Sequence, residues 1–557
     1  MKNSTMRKIA GKVMAGMLTA ALAVTSMTGI SADAAKKPVL SRKSVRLKEG
    51  QRATVSIKNR QKKAKVTWKS SKTKFVKITK RKSGKKAAVT FKAVKAGSSV
   101  VSATYKLGKK KTVLKCNVKV TTKAAAARVA TPAPIVSTQT SAPTAVPTVA
   151  PTVAPTAEPT AEPTATAEPD IWVTTWGTAE EPVENQDGVK NFIPLAKTTV
   201  RQIIKVTTSG DKFKLRLSNQ YGKSPVQVES MHIAKQGARA DQSDIITSTD
   251  TVVTVNGKAS FEIPAGEVIE TDTIDFKVTA LENVAISTYF GGNVPTTGVT
   301  GHRGARATTY QTPGNEVSTE SLGSVNGLKT CTGWFFLADV SLMQPEGSKA
   351  VVCFGDSITD GYGTDAGYLG KKPDSYTRWG DYFAKRLQAN ESTKNVSVIN
   401  EGIGGNAIFG GLGPAGKDRF RRDLLEHDGV AYCIILFGVN DLDKLQNTSK
   451  FNQLKPEYEK MIALCHANNI KVYAAPILPF GTSSYYSEGS EGVRQLINNW
   501  FRSSESGVDG IIDFESAVAD PDNPKNVREE YTHSDGLHPY DGYEAMANAI
   551  DLEMFEK

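Results

Sequence analysis

Four short polar segments, three of them placed where an apolar run stops, carry the residue types that acyl transfer requires. The run Ala-Val-Val-Cys353-Phe passes directly into Gly355-Asp356-Ser357-Ile358-Thr359-Asp360. A serine in such a place is commonly no more than a helix N-cap, so Ser357 alone says little. Further along, Val-Ser-Val-Ile ends at Asn400-Glu401-Gly402-Ile403-Gly404-Gly405-Asn406, and Ile-Ile-Leu-Phe ends at Gly438-Val439-Asn440-Asp441. A glycine-rich turn lets the backbone approach a ligand and aim an N–H at it, and the Asn440 amide is a second donor. Near the C-terminus stands Ser534-Asp535-Gly536-Leu537-His538-Pro539. Asp535 and His538, three apart, can meet across one turn, which leaves the other ring nitrogen free to face Ser357. A nucleophile, a base, a carboxylate that orients the base and two kinds of donor make a set that fits acyl transfer.

Those segments need a scaffold that gathers strand ends. From residue 350 the runs AVVCF, VSVIN, AYCIILF, KVYAAPI and GIIDF are short and apolar on both faces, as strands covered on both sides must be. Helix-like segments separate them at about 378–390, 417–427, 453–467 and 489–501, and a closing helix is expected over 541–554. Alternating strands and helices predict a three-layer α/β domain with a doubly wound parallel sheet over residues 348–557. In such a sheet ligands bind beyond the carboxyl ends of the strands, where all four polar segments fall.

The four segments, in this order, closely resemble the sequence blocks of the SGNH, or GDSL-type, hydrolase superfamily. GDSIT, NEGIGGN, GVND and DGLHP are the matching phrases. The resemblance implies Ser357 as nucleophile, Gly405 and Asn440 as oxyanion donors with the Ser357 N–H, and Asp535 and His538 as the remaining catalytic pair. It also implies a serine esterase working through an acyl-enzyme, with no cofactor and no metal. Asp356 is then expected to order the Ser357 turn, and Asp441 to support the turn that presents Asn440. His533 lies close enough to Asp535 to compete for the role of base, and spacing favours His538. The glycines of 361–370 contain no phosphate-binding or dinucleotide fingerprint and are expected to rim the site, with Trp379 either beside them or in the core. His232, His302, His427 and His466 have no Cys or carboxylate at metal-ligand spacing.

The rest of the chain divides by charge. The protein has 557 residues and a formal net charge of +15, which would suggest a nucleic-acid partner. Residues 1–130, however, carry 35 Lys and Arg against two acids, while residues 131–557 carry 36 against 54. The basic half reads as short strands in which Val, Ile or Phe alternates with Lys, so that the lysines occupy the wet face, with Trp68 as a core plug. Residues 36–125 resemble bacterial immunoglobulin-like (group 2) modules in the VTWKSS and AVKAGSSVVSA phrases. Their charge suits anionic cell-wall polymers rather than nucleic acid. Residues 131–169 hold nine prolines and no Lys or Arg, a spacer biased to extended polyproline geometry. Residues 170–345 alternate as strands broken by Gly and Asn-Gly turns, which predicts an all-β sandwich or jelly roll. Its phrases WVTTWGTA, TVRQIIKV and LRLSNQYG resemble the domain that precedes some secreted SGNH hydrolases.

Residues 1–34 have a basic start, an apolar stretch over 13–27 and Ala32-Asp33-Ala34, the pattern of a cleaved signal peptide. Export and no transmembrane span are therefore expected. The five cysteines are widely spaced in apolar surroundings, so core packing rather than a disulfide framework is expected to supply stability. The expected substrate is a short acyl ester, acetyl above all, on polysaccharide or a small molecule. The alternatives are a lipase- or thioesterase-type acylhydrolase, and a wall-binding protein with a vestigial hydrolase.

Overall fold

A computed structural model describes residues 38–121 apart from 43, 60, 62–63, 83–86 and 108–109, and residues 170–556 apart from 239–241 and 534. The expected signal peptide (1–34) and linker (131–169) lie outside the described residues. Among those described, no helix is long and apolar enough to cross a membrane. The chain divides into two compact units, one on either side of residues 156–157.

The first unit is all β. One sheet orders the strands Val39–Leu40, Arg52–Lys58, Ala88–Ala93 and Val76–Lys82; the other orders Ser44–Lys48, Lys110–Thr121, Gly97–Leu107 and Lys65–Ser70. Every second residue turns inward, so that Val55, Val89 and Phe91 of one sheet share a core with Trp68, Val101 and Val118 of the other. Trp68 is buried there, as its place in the alternation requires.

The second unit begins with an antiparallel β-domain. A seven-stranded sheet and a five-stranded sheet enclose a core that includes Ile204, Ile233 and Ile286 on one side and Phe213, Leu215 and Val340 on the other. A small third sheet pairs Glu181–Pro182 with Thr300–Arg303 and that strand with Gly333–Phe335.

The α/β domain follows. Its sheet orders the strands Val396–Gly402, Lys349–Gly355, Val430–Leu436, Lys471–Ala474 and Gly510–Ile511, all parallel. The chain leaves strand Lys349–Gly355 toward one neighbour and later passes to the other. With right-handed crossovers, this reversal places helix Trp379–Ala389 on the face opposite Gly416–Leu425, Phe451–His466 and Glu488–Arg502. The crevice at the reversal is the binding position of such sheets. Trp379 is fully buried, so of the two expected places it takes the core. The closing helix is shorter than expected: it spans Tyr543–Asn548, and Asp551 then caps a separate turn, Leu552–Phe555, by accepting the Glu553 N–H. All five cysteines are free and all but Cys331 are buried.

The β-domain and the α/β domain are fused along an edge. Thr178 makes a parallel bridge to Asn400, Ser397 Oγ donates to the Thr174 carbonyl, and the Asp428 N–H donates to Thr174 Oγ1. The outermost strand of the parallel sheet is thereby covered.

Candidate active site

Ser357 follows Asp356, whose carboxylate accepts the Ile358 N–H and so caps the four-residue helix Ser357–Asp360. Burial pushes the Asp356 carboxyl up to about 7. It holds the turn that presents Ser357. The Ser357 N–H opens this helix and has no partner within it. Gly402 comes so close that a Cβ there would lie 2.3 Å from the Asp360 nitrogen. A glycine is therefore required for the second polar segment to pack against the first.

His538 Nε2 lies 2.8 Å from Ser357 Oγ, and its Nδ1 lies 2.7 Å from Asp535 Oδ2. Asp535 Oδ1 accepts the N–H groups of Leu537 and His538, and Oδ2 also accepts the Tyr540 hydroxyl. Burial raises the Asp535 carboxyl, but the hydrogen bond and charge of His538, with Tyr540 and the Leu537 N–H, outweigh it and leave the group well below the usual carboxylate range. An ionised carboxylate only accepts. The proton between the two is therefore on Nδ1, and Nε2 is left to accept from the Ser357 hydroxyl. The Tyr362 ring packs on His538 with centroids 4.5 Å apart.

Across the cleft, Gly405 takes φ +72° and contributes to the wall beside Ser357. The Asn440 amide is fixed at both ends: Nδ2 donates to the Asn406 carbonyl at 2.8 Å, and Oδ1 accepts the Tyr485 hydroxyl at 3.1 Å. Nδ2 keeps a second hydrogen for a ligand. Asp441 accepts the Ile408 N–H at 2.7 Å, so it ties the Asn440 turn to the glycine-rich segment rather than supporting its own turn alone. Buried Arg419 gathers the strand ends by donating to the Gly355 and Glu401 carbonyls and to Asn406 Oδ1.

Four of the five residues singled out from the sequence, Ser357, Gly405, Asn440 and His538, line one cleft of about 360 Å³. The fifth, Asp535, stands behind His538. The competitor His533 is turned away and pairs with Asp541 at 3.0 Å. The 361–370 stretch reaches the cleft rim through Tyr362.

Sequence spacing did not reveal the contribution of the β-domain. Arg303, Arg306 and Thr332 form part of the same cleft. Arg306 donates to Asp360 Oδ2 at 2.5 Å and to Asp365, and His302 Nε2 lies 3.1 Å from Asp360 Oδ1. Burial raises the Asp360 carboxyl, but Arg306 and His302 more than compensate and hold it at about 2. The Ser357 turn is thus anchored from the neighbouring domain. The available signal was Gly301-His302-Arg303-Gly304-Ala305-Arg306, three basic side chains among glycines in an otherwise alternating β region. The other histidines also have carboxylates, supplied from distant parts of the chain: His232 with Asp250, His427 with Asp339 and Glu401, His466 with Asp509. Among the described residues, no group of three or more His, Cys, Asp or Glu side chains is arranged to hold a metal ion.

Residues 353–544 match the GDSL-like Lipase/Acylhydrolase family, and this part of the chain is a domain of that family. No curated protein matches the chain. Similar solved structures include a lipolytic protein of the G-D-S-L family from Desulfitobacterium hafniense (20% identity over 36% of this chain and 97% of that one, TM-score 0.28). A carbohydrate acetylesterase family member from Sinorhizobium meliloti is 19% identical over 37% of this chain and 99% of that one, with a TM-score of 0.30. An aryl esterase from M. smegmatis is 18% identical over 36% and 95%, with a TM-score of 0.29.

Proposed function

We propose that the protein is an exported serine esterase that removes short acyl groups, acetyl above all, from polysaccharide. The observation that carries the ester chemistry is the hydrogen-bonded line Asp535–His538–Ser357 opening on a cleft that also holds Gly405 and Asn440. His538 takes the Ser357 proton as Oγ attacks the ester carbonyl, then gives it to the departing alcohol. The N–H groups of Ser357 and Gly405 and the free Asn440 N–H receive the oxyanion. Water attacks the acyl-enzyme with the same histidine as base.

Two features support a short acyl group on a polar alcohol. Among the described residues the only aliphatic side chains along the cleft are Leu412 and Leu537, too few to line a long acyl tunnel, and Arg303, Arg306, Thr332 and Tyr362 also line it. A largely polar lining with an aromatic ring suits a sugar. The test is hydrolysis of a chromogenic acetate ester by wild type and Ser357→Ala, followed by acetate release from acetylated xylan, pectin and peptidoglycan. Turnover lost in Ser357→Ala is expected. Wild type without turnover but with tight polymer binding would replace the esterase by a binding protein.

A further inference from the structure

Arg303 belongs to the β-domain, on strand Thr300–Arg303, yet it reaches the oxyanion side of the cleft. Its Nη2 donates to the Gly404 carbonyl. The carbonyl of Gly404 and the N–H of Gly405 belong to one planar trans peptide and point to opposite sides of it. A cation held on the carbonyl therefore fixes the direction of that N–H and, by polarising the peptide, makes it a stronger donor. Arg303 is itself fixed. Glu181, wholly buried, accepts from Arg303 Nε at 3.1 Å and from its backbone N–H at 3.3 Å.

We propose that Arg303 is a positioning residue of the oxyanion hole, lent by the β-domain and oriented by Glu181, acting through the Gly404–Gly405 peptide. This rests on the serine esterase reading. Losing one oxyanion donor outright costs about 10²–10³ in kcat. Losing only the group that aims it is expected to cost about 10- to 100-fold, with KM nearly unchanged because the ground-state carbonyl asks less of that donor. The experiment measures kcat, KM and the affinity of a short alkyl boronic acid, whose serine adduct is a tetrahedral anion, for wild type, Arg303→Met, Arg303→Lys and Ser357→Ala. The expected result is that kcat and boronate affinity fall together in Arg303→Met, while Arg303→Lys, which keeps the charge and loses the fork, lies between. Ser357-dependent turnover with unchanged kcat in Arg303→Met and Arg303→Lys would overturn the proposal alone, as would a fall in kcat without a fall in boronate affinity. Absence of Ser357-dependent turnover in wild type would overturn the esterase reading and this proposal with it.

A different observation, in the first unit, carries a second inference. The outward face of the sheet containing Lys65–Ser70, Gly97–Leu107 and Lys110–Thr121 places Lys65 opposite Lys106 and Lys106 opposite Lys111, all exposed. Four residues further along each strand, past the row Thr67, Thr104 and Val113, Lys69 and Lys115 flank Ser102, and Lys119 lies four residues beyond. Like charges directly opposite one another destabilise a sheet. Among the described residues of this unit the one carboxylate is Glu49, and it accepts the Ala96 N–H instead. The fold gains nothing from the lysine rows, which recur about 13.6 Å apart along the strands.

We infer that this face binds a linear phosphodiester polymer lying along the strands. Lysine ammonium groups bind phosphate as point charges, and no aromatic ring on the described part of this face offers stacking for bases. The test compares full-length wild type with the full-length Lys65→Gln, Lys106→Gln, Lys111→Gln, Lys115→Gln, Lys119→Gln variant on immobilised poly(glycerol phosphate). Retention is expected to fall at least tenfold in the variant, with hydrolysis of a soluble acetate ester unchanged. Equal retention would overturn the inference, and so would tighter wild-type binding to polygalacturonate, to RNA or to phosphatidylglycerol vesicles.

Discussion

At the scale of single residues, the cleft separates four carboxyl groups by their surroundings. Asp535 is held ionised by His538 and Tyr540, Asp360 is held near 2 by Arg306 and His302, and burial pushes Asp356 to about 7 and raises Asp441. Only Asp535 faces the imidazole, so Asp535→Asn leaves Nδ1 bonded to an amide that can impose the wrong tautomer. A fall of about 10⁴ in kcat is expected, measured on a soluble acetate ester. Tyr485 is a finer test. Its hydroxyl holds Asn440 Oδ1, and without it the amide gains a rotational choice. Tyr485→Phe is expected to lower kcat about tenfold, a fraction of the loss of a whole donor, with KM and melting temperature nearly unchanged. An equal fall in a Tyr485→Phe, Asn440→Ala pair and in Asn440→Ala alone would show that the hydroxyl acts through that amide. Asn440 was legible because its block has a fixed spacing from the end of its strand. Tyr485 was not, because it comes from the irregular segment before helix Glu488–Arg502, at no fixed distance from anything that reacts.

At the scale of elements, the alternation of strand and helix told where the chain would turn, and three of the four polar segments fall at the carboxyl ends of strands, while the fourth, with Asp535 and His538, lies in the irregular stretch before helix Tyr543–Asn548. Alternation within the β-domain gave the sheets, but it carried no information about which sheet edge would meet the α/β domain. That edge is fixed by charge as well as by backbone pairing. His427 lies buried between Asp339 of strand Leu337–Gln344 and Glu401 of strand Val396–Gly402, with Arg216 also on Asp339. Burial lowers the imidazole value, but the two carboxylates reverse this and raise it to about 10. A group whose folded value exceeds the ordinary 6.5 stabilises fully below pH 6.5, and that contribution is lost as pH rises toward 10. Wild-type melting temperature is therefore expected to fall between pH 7 and 10. His427→Gln should be less stable at pH 6 by about 3–5 kcal/mol, the usual cost of breaking a buried pair, and should show a flatter decline. Parallel pH profiles for the two proteins would contradict this account of the interface.

At the scale of the whole molecule, charge and chemistry reside in different parts of the chain. The lysine-rich first 130 residues stand against an acidic remainder, and every residue assigned to the cleft belongs to the second unit. This division was readable from composition alone, because charge counts do not depend on how the chain folds. The joining of the β-domain to the cleft was not, since Arg303 and Arg306 are about fifty residues from Ser357 in sequence and meet it only through tertiary packing. A separation of this kind makes salt an informative variable. Raising ionic strength from 0.1 M to 1 M shortens the Debye length from about 10 Å to about 3 Å. It should loosen exposed lysines from a polyanion while leaving the buried pairs at Asp360 and Asp535 in place. Hydrolysis of a neutral soluble acetate ester is therefore expected to change less than about twofold over that range. Acetate release from an acetylated polysaccharide presented on a poly(glycerol phosphate) surface should fall about tenfold, as attachment is screened. If both rates fell in parallel, the charge dependence would belong to the cleft, and the lysine face would have no part in bringing enzyme to substrate.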